Sequence, residues 1–131
     1  MKKPLFLAIV ATLVLANANF AQADTFVPNG RTHAFANMDT QQFCTAWISP
    51  EGGGNYLIAL NCDNGQQWNA FHYNMRVIFR NQEKILRVEQ FDVSLLPRGP
   101  GRNSTDSPSR IVYLGDIVDD IQNVLLEGIR F

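Results

Sequence analysis

The chain has 131 residues, of which 12 are acidic and 11 are basic, and 46% of its residues are hydrophobic. This length suffices for one domain with one hydrophobic core and excludes two. Beyond an apolar run near the N-terminus, no segment approaches the roughly 20 apolar residues of a membrane-spanning helix, so no membrane span is predicted.

The first 23 residues have the pattern of a secretory signal peptide. Lys2 and Lys3 precede an apolar run over residues 5–16, and Ala21-Gln22-Ala23 matches the small-x-small pattern of a signal peptidase site. We therefore expect a secreted or periplasmic mature chain over residues 24–131, a single domain of 131 − 23 = 108 residues. Without the two lysines it carries 9 basic and 12 acidic residues, a net charge of 9 − 12 = −3, which argues against nonspecific nucleic-acid binding.

A first strand is predicted over residues 32–38, after a turn at Pro28-Asn29-Gly30. A hairpin follows from Phe43 to Cys62, with three glycines at its tip. Pairing about Gly53 sets three apolar pairs on one face: Cys44 with Cys62, Ala46 with Leu60, and Ile48 with Ile58. An apolar face of period two indicates burial on one side of a sheet.

This register also predicts a disulfide between Cys44 and Cys62. Directly opposed residues have Cβ atoms roughly 4.5 to 5.5 Å apart, which local twist can close to a disulfide. Such a bridge persists in an oxidising compartment and stabilises a loop of this length by about 3 kcal/mol in the chain-entropy model. The alternative is a pair of free buried cysteines.

The segment Trp68–Arg80 fits two patterns. As a strand, its odd-numbered residues from Phe71 to Phe79 are apolar and alternate with polar residues, except at Ile78. As a helix, it presents an apolar stripe of Trp68, Phe71, Met75, Ile78 and Phe79, with Val77 on the opposite side. Periodicity alone mildly favours the strand.

The C-terminal third is predicted to contain two strands, a loop and a helix. The strands are Lys84–Phe91 and Arg110–Leu114, and the flexible loop spans residues 97–110, which are rich in Pro, Gly and Ser. After Gly115 an amphipathic helix is predicted from the stripe Ile117, Val118, Ile121, Val124 and Leu125. Asp116 fits its N-cap and Gly128 the position after its end.

The residue pattern indicates no catalytic or metal-binding chemistry. His33 and His72 are the histidines of the chain, and neither lies in a catalytic motif. The two cysteines are better explained by a bridge than by metal ligation. We therefore predict no enzymatic activity, no catalytic residues, no cofactor and no metal site.

The segment Asn37–Cys44, the glycine-rich tip and the hydrophobic strand that closes on Cys62 together resemble the B subunits of pertussis-like AB-type toxins, a group that includes the typhoid and subtilase toxins. The resemblance implies a small antiparallel OB-like barrel with Trp68–Arg80 as a helix between strands. It further implies a homo-oligomeric ring, a pentamer, that binds a host glycan and accompanies an enzymatic A subunit.

In such a ring, His72, Arg76 and Arg80 would form a polar stripe toward the pore. Two family features are absent from this sequence: the second disulfide and the Tyr-x-Ser signature for sialic acid.

A second resemblance favours an all-β fold. Cys62-Asp63-Asn64-Gly65, followed by Phe71, Val77, Phe79 and Leu86, is similar to the start of periplasmic inhibitors of C-type lysozyme. Those proteins lack the upstream cysteine hairpin, and their Ser-Gly-x-x-Tyr loop does not occur here.

Together these patterns predict a mainly β, OB-like barrel with one helix between strands and a C-terminal amphipathic helix. The predicted function is that of an exported, non-enzymatic binding subunit for a host glycan or protein. The alternatives are a lysozyme inhibitor or an exported β-domain with another partner. Because glycan sites combine aromatic stacking with a few polar groups, Phe26, Trp47 and Ser49 are the candidate ligand-binding residues.

Overall fold

The computed structural model describes residues 21–38, 41–99 and 104–131, with the backbone alone for residues 21 and 22. These residues form nine strands and one turn of 3₁₀ helix, Val118–Asp120. The strands are β1 (Ala21–Thr25), β2 (Thr32–Asn37), β3 (Gln42–Gly52), β4 (Asn55–Asn64), β5 (Phe71–Asn81), β6 (Lys84–Leu95), β7 (Thr105–Asp106), β8 (Ser109–Tyr113) and β9 (Asn123–Arg130). The described part of the chain is therefore mainly β, as predicted.

All strand pairings are antiparallel, in the order β6-β5-β9-β1-β2-β3-β4-β7, with β8 beside β7 on the same edge of β4. β1 joins two sheets, because its first residues pair with β2 and its last residues pair with β9. One hydrophobic cluster unites residues of both sheets. No backbone ladder joins the described residues of β6 to those of β7 or β8, so the sheet is not closed.

Side chains bridge this open seam between β6 and the β7–β8 edge. The Ser94 amide donates to the Asp106 carboxylate at 2.9 Å. The Arg110 guanidinium donates to the Gln90 carbonyl at 2.9 Å and to the Glu89 carboxylate at 3.1 Å. Charged side chains at a strand edge satisfy backbone groups there and oppose pairing with another chain.

The predicted hairpin is confirmed in register and in its disulfide. Cys44 pairs with Cys62, and the remaining predicted pairs are also present. Their sulfur atoms are bonded, and both cysteines are fully buried. Gly52, Gly53 and Gly54 all adopt positive φ at the tip, a conformation that glycine adopts without steric cost.

The helix that the toxin resemblance implies over Trp68–Arg80 is wrong: this segment contains β5 instead. Tyr73, Met75, Val77 and Phe79 alternate into the core, each at most 1% exposed. Ile78, which interrupts the alternation, lies on the other face between Val88 of β6 and Leu125 of β9. These cross-strand neighbours bury it and explain the apolar residue there.

The predicted C-terminal helix is also wrong. Asp119 and Asp120 lie in the single 3₁₀ turn, and the chain then becomes β9. β9 is inserted between β5 and β1, where Val124 and Leu126 are fully buried. Gly128 is thus inside a strand, and a Cβ there would lie 2.9 Å from the Met75 sulfur. Glycine permits this close packing.

Two further predictions concern segments that the structure describes only in part. The region 97–110, predicted as a flexible loop, contains β7 and the start of β8, both paired with β4, while residues 100–103 lie outside the described residues. Of the predicted signal peptide, residues 1–20 also lie outside them, and the predicted cleavage point after Ala23 falls within β1. Among the described residues, no helix has the length and apolarity to cross a bilayer.

Tyr56 should make stability depend on pH in the alkaline range. Its hydroxyl donates to the Pro28 carbonyl at 2.7 Å. Burial, and then the nearby Asp119 carboxylate, raise the pKa of Tyr56 above its ordinary value of 10.0. A raised pKa means that the unfolded state loses this proton first, so folding stability is complete below about pH 10 and falls as pH rises toward the folded-state pKa.

We expect urea unfolding between pH 9 and 11 to show a steeper loss of stability in the native sequence than in Tyr56→Phe, which has no phenolic proton to lose. Equal pH slopes for the two proteins would contradict this assignment.

Candidate functional site

The side of β2 and β3 that faces away from the disulfide carries four aromatic rings. Because side chains alternate along a strand, His33 and Phe35 of β2 lie on this side together with Phe43 and Trp47 of β3. Phe43 is 39% exposed and Trp47 is 40% exposed. We call these four residues the outer aromatic face.

Trp47 is held in position by two neighbours from β2 and the turn before it. The His33 ring lies 4.4 Å from the Trp47 ring between centroids, at an angle of 42°. The Arg31 guanidinium lies 5.2 Å from the same ring centroid, a cation–π distance. The Asp24 carboxylate is 4.0 Å from Nδ1 of His33. The indole is therefore braced while much of it stays open to solvent.

Small and polar side chains lie beside Trp47 on the neighbouring strands. Ala59 of β4 is opposite Trp47, and Ser109 of β8 is opposite Ala59. Asn61, two residues further along β4, accepts a hydrogen bond from the Ser107 hydroxyl at 3.0 Å. Small and polar side chains therefore occupy the strand positions next to the indole.

A second aromatic contact extends the face along β2 and β3. The Phe35 and Phe43 rings are stacked, with centroids 6.3 Å apart and an angle of 28° between planes. These rings continue the apolar surface from Trp47 toward the start of β3. The face thus offers stacking surface with hydroxyl and amide groups nearby. Its charged neighbours include Arg31 and Asp24 around Trp47 and His33, and Asp63 opposite Phe43.

The predicted ligand-binding residues fall in two places. Trp47 and Ser49 lie two residues apart on the same side of β3, and Ser49 is half-buried. Phe26 lies elsewhere: it is 5% exposed, in the core, with its ring 5.7 Å from Tyr56 and 6.2 Å from Phe79. The structure therefore brings together two of the three candidates.

His72, Arg76 and Arg80 share one side of β5 rather than one side of a helix. The His72 ring contacts Phe131 at 4.5 Å between centroids. Arg80 donates to the Asn123 side chain at 2.9 Å, a contact within the sheet. The orientation of these residues toward a pore stays a prediction.

Arg31, His33 and Phe35 were not among the predicted site residues. The positions of His33 and Phe35 follow from the strand predicted over residues 32–38, because pairing that strand with the hairpin sets its odd-numbered residues on the same side as Trp47. Arg31 precedes β2, and its approach to the indole depends on the β1–β2 turn.

The described residues contain no group of three or more His, Cys, Asp or Glu side chains that could hold a metal ion. Comparison of the chain with protein-family models, with curated proteins and with solved structures found no match.

Proposed function

We propose that this protein is an exported, non-enzymatic binding protein that recognises a glycan through the outer aromatic face. The observation that carries the proposal is Trp47, an indole braced by His33 and Arg31 yet 40% exposed. Sugar rings present flat C–H surfaces and hydroxyl groups, so a fixed ring beside small polar side chains suits them.

Export is the second part of the proposal. Its support is the signal-like pattern of residues 1–23 and the buried bridge between Cys44 and Cys62, since structural disulfides persist in oxidising compartments.

The relation to toxin B subunits is a further proposal with narrower support. The segment Asn37–Cys44 and the bridge to Cys62 carry it, while the helix implied over Trp68–Arg80 is absent. The OB-like barrel, a pentameric ring and an A-subunit partner belong to this narrower proposal, although the described strands leave the sheet open. Glycan recognition by the outer aromatic face does not depend on them.

The all-β character of the described residues favours one alternative, an inhibitor of C-type lysozyme, because the proteins of the second resemblance are all-β. An inhibitor would slow lysozyme at stoichiometric concentrations and leave glycan-array signals at background. This result would replace the first proposal.

Glycan recognition is tested with two matched tryptophan variants. Trp47→Ala should weaken binding to an array-identified glycan at least about tenfold, because losing one stacking surface removes on the order of 1.4 kcal/mol or more. Trp68→Ala is the control, since Trp68 is 84% exposed in the β4–β5 loop and lies outside the outer aromatic face.

Affinities are measured by isothermal titration calorimetry, with circular dichroism to confirm that both variants fold. Unchanged affinity in Trp47→Ala, or a larger loss in Trp68→Ala, would contradict the proposed site.

A further inference from the structure

The sequence contains two Asn-Gly pairs, Asn29-Gly30 and Asn64-Gly65. Asn29 is exposed in the turn between β1 and β2, whereas Asn64 at the end of β4 is fully buried. The same chemical pair therefore occurs in two opposite environments within one fold.

We propose that Asn29 is a site of spontaneous deamidation in the folded protein and that Asn64 is protected. In this reaction the backbone nitrogen of Gly30 attacks Cγ of the Asn29 side chain. A C–N bond forms, the side-chain nitrogen leaves as ammonia, and a five-membered succinimide results. Water then opens the ring to aspartate or to isoaspartate, in which the main chain runs through Cβ. The only co-reactant is water.

Glycine favours this attack because it has no Cβ to shield its nitrogen. Gly30 is held by one contact, from its amide to the Val27 carbonyl at 3.3 Å, which is long for a backbone hydrogen bond. The Asn29 side chain has no hydrogen-bond partner among the described residues. The reacting amide is thus open to solvent and free to rotate.

Asn64 differs at each of these points. Its Nδ2 donates to the carbonyls of Asn69 and Leu96, both at 2.9 Å. Its Oδ1 accepts from the Gln66 amide at 2.9 Å. The attacking nitrogen, that of Gly65, itself donates to the Gln41 carbonyl at 2.9 Å. Deamidation here requires these bonds to open together.

Deamidation of Asn29 would affect the outer aromatic face, because Asn29 lies in the turn that leads into it. It would add a carboxylate in the turn that leads into Arg31, the cation beside Trp47. The isoaspartate form would also lengthen the main chain next to Pro28, whose carbonyl is fixed by the Tyr56 hydroxyl.

The test incubates the native full-length protein at mildly alkaline pH and follows both Asn-Gly peptides by tandem mass spectrometry. Replacement of the amide NH₂ by OH should accumulate at Asn29 at least about tenfold faster than at Asn64, because exposing Asn64 requires local opening of the fold. Asn29→Asp supplies the chromatographic standard for the aspartate product, and Asn29→Gln should abolish the acidic species.

The same incubation in denaturant with reductant provides the reference for intrinsic reactivity, and there both sites should react. An intact Asn29 in the native protein alongside reaction in the denatured chain would overturn the proposal. Equal native rates at the two sites would overturn it as well. Neither result depends on a glycan, so this test is separate from that of the proposed function.

Discussion

Replacement of Asn64 by leucine is expected to destabilise the fold by about 3 kcal/mol or more. The side chain of Asn64 is fully buried, and its two polar atoms bind groups from several segments. It donates to carbonyls at Asn69 and Leu96 and accepts from the Gln42 side chain at 3.0 Å. Leucine leaves the buried Gln42 amide group unsatisfied, which costs about 1 to 3 kcal/mol, and it also removes the two part-buried bonds to the carbonyls of Asn69 and Leu96, each worth about 0.5 to 1.5 kcal/mol.

Gln42 extends this network, because its Oε1 accepts from the Tyr73 hydroxyl at 3.0 Å. The side chains of Asn64, Gln42 and Tyr73 thereby link the ends of β3, β4 and β5. Because buried polar networks stabilise only when fully satisfied, removing the central member should have a larger effect than removing any single exposed hydrogen bond.

The matched control is Asn61→Leu, on the same strand but exposed on the outer side. It should change the free energy of unfolding by no more than about 0.5 kcal/mol. Guanidinium unfolding followed by circular dichroism measures both variants. Similar losses in the two proteins would show that the Asn64 network does not brace the sheet.

Removal of the disulfide is expected to cost about 3 kcal/mol. The bridge closes a loop with a sequence separation of 18 between its cysteines. The double substitution of Cys44 and Cys62 to alanine frees that loop in the unfolded chain and leaves a small cavity between β3 and β4. Alanine is chosen because serine would place a hydroxyl group in a fully apolar environment.

Unfolding of the double variant is compared with that of the native protein, with and without reductant. The native protein should lose stability when its bridge is reduced, and the double variant should not respond to reductant. A double variant with a native unfolding midpoint would mean that the bridge contributes no stability.

The hairpin was predictable because its evidence is local and redundant. The alternation through Cys44, Ala46 and Ile48 fixes which side is buried, and the glycine tip fixes the register. A slip by one residue would expose that whole apolar set. Both cues agree, and the observed pairing follows them.

Two segments could not be assigned from local patterns. Residues 68–80 carry both a helical and a strand period, and the choice depends on Val88 and Leu125, which cover Ile78 from neighbouring strands. The apolar stripe after Gly115 has helical spacing, but its second half forms β9, which pairs between β5 and β1. Such non-local pairing is not encoded in the periodicity of either segment.

The positions of the candidate site residues were predictable only in part. The hairpin alternation put Trp47 on the outer side of β3, together with Ser49. Phe26 could not be placed from sequence, because its burial depends on the β1–β2 turn folding against Tyr56. The same turn places Arg31 beside the Trp47 indole. No local sequence pattern predicts this contact.

The most direct test of glycan recognition uses the two tryptophans of the chain, Trp47 and Trp68. In ¹⁵N-labelled protein each indole N–H gives its own NMR signal, assigned from the Trp47→Ala and Trp68→Ala variants. Titration with an array-identified oligosaccharide should shift the Trp47 signal progressively and leave the Trp68 signal in place. A bound oligosaccharide that moves only the Trp68 signal, or neither, would contradict recognition by the outer aromatic face.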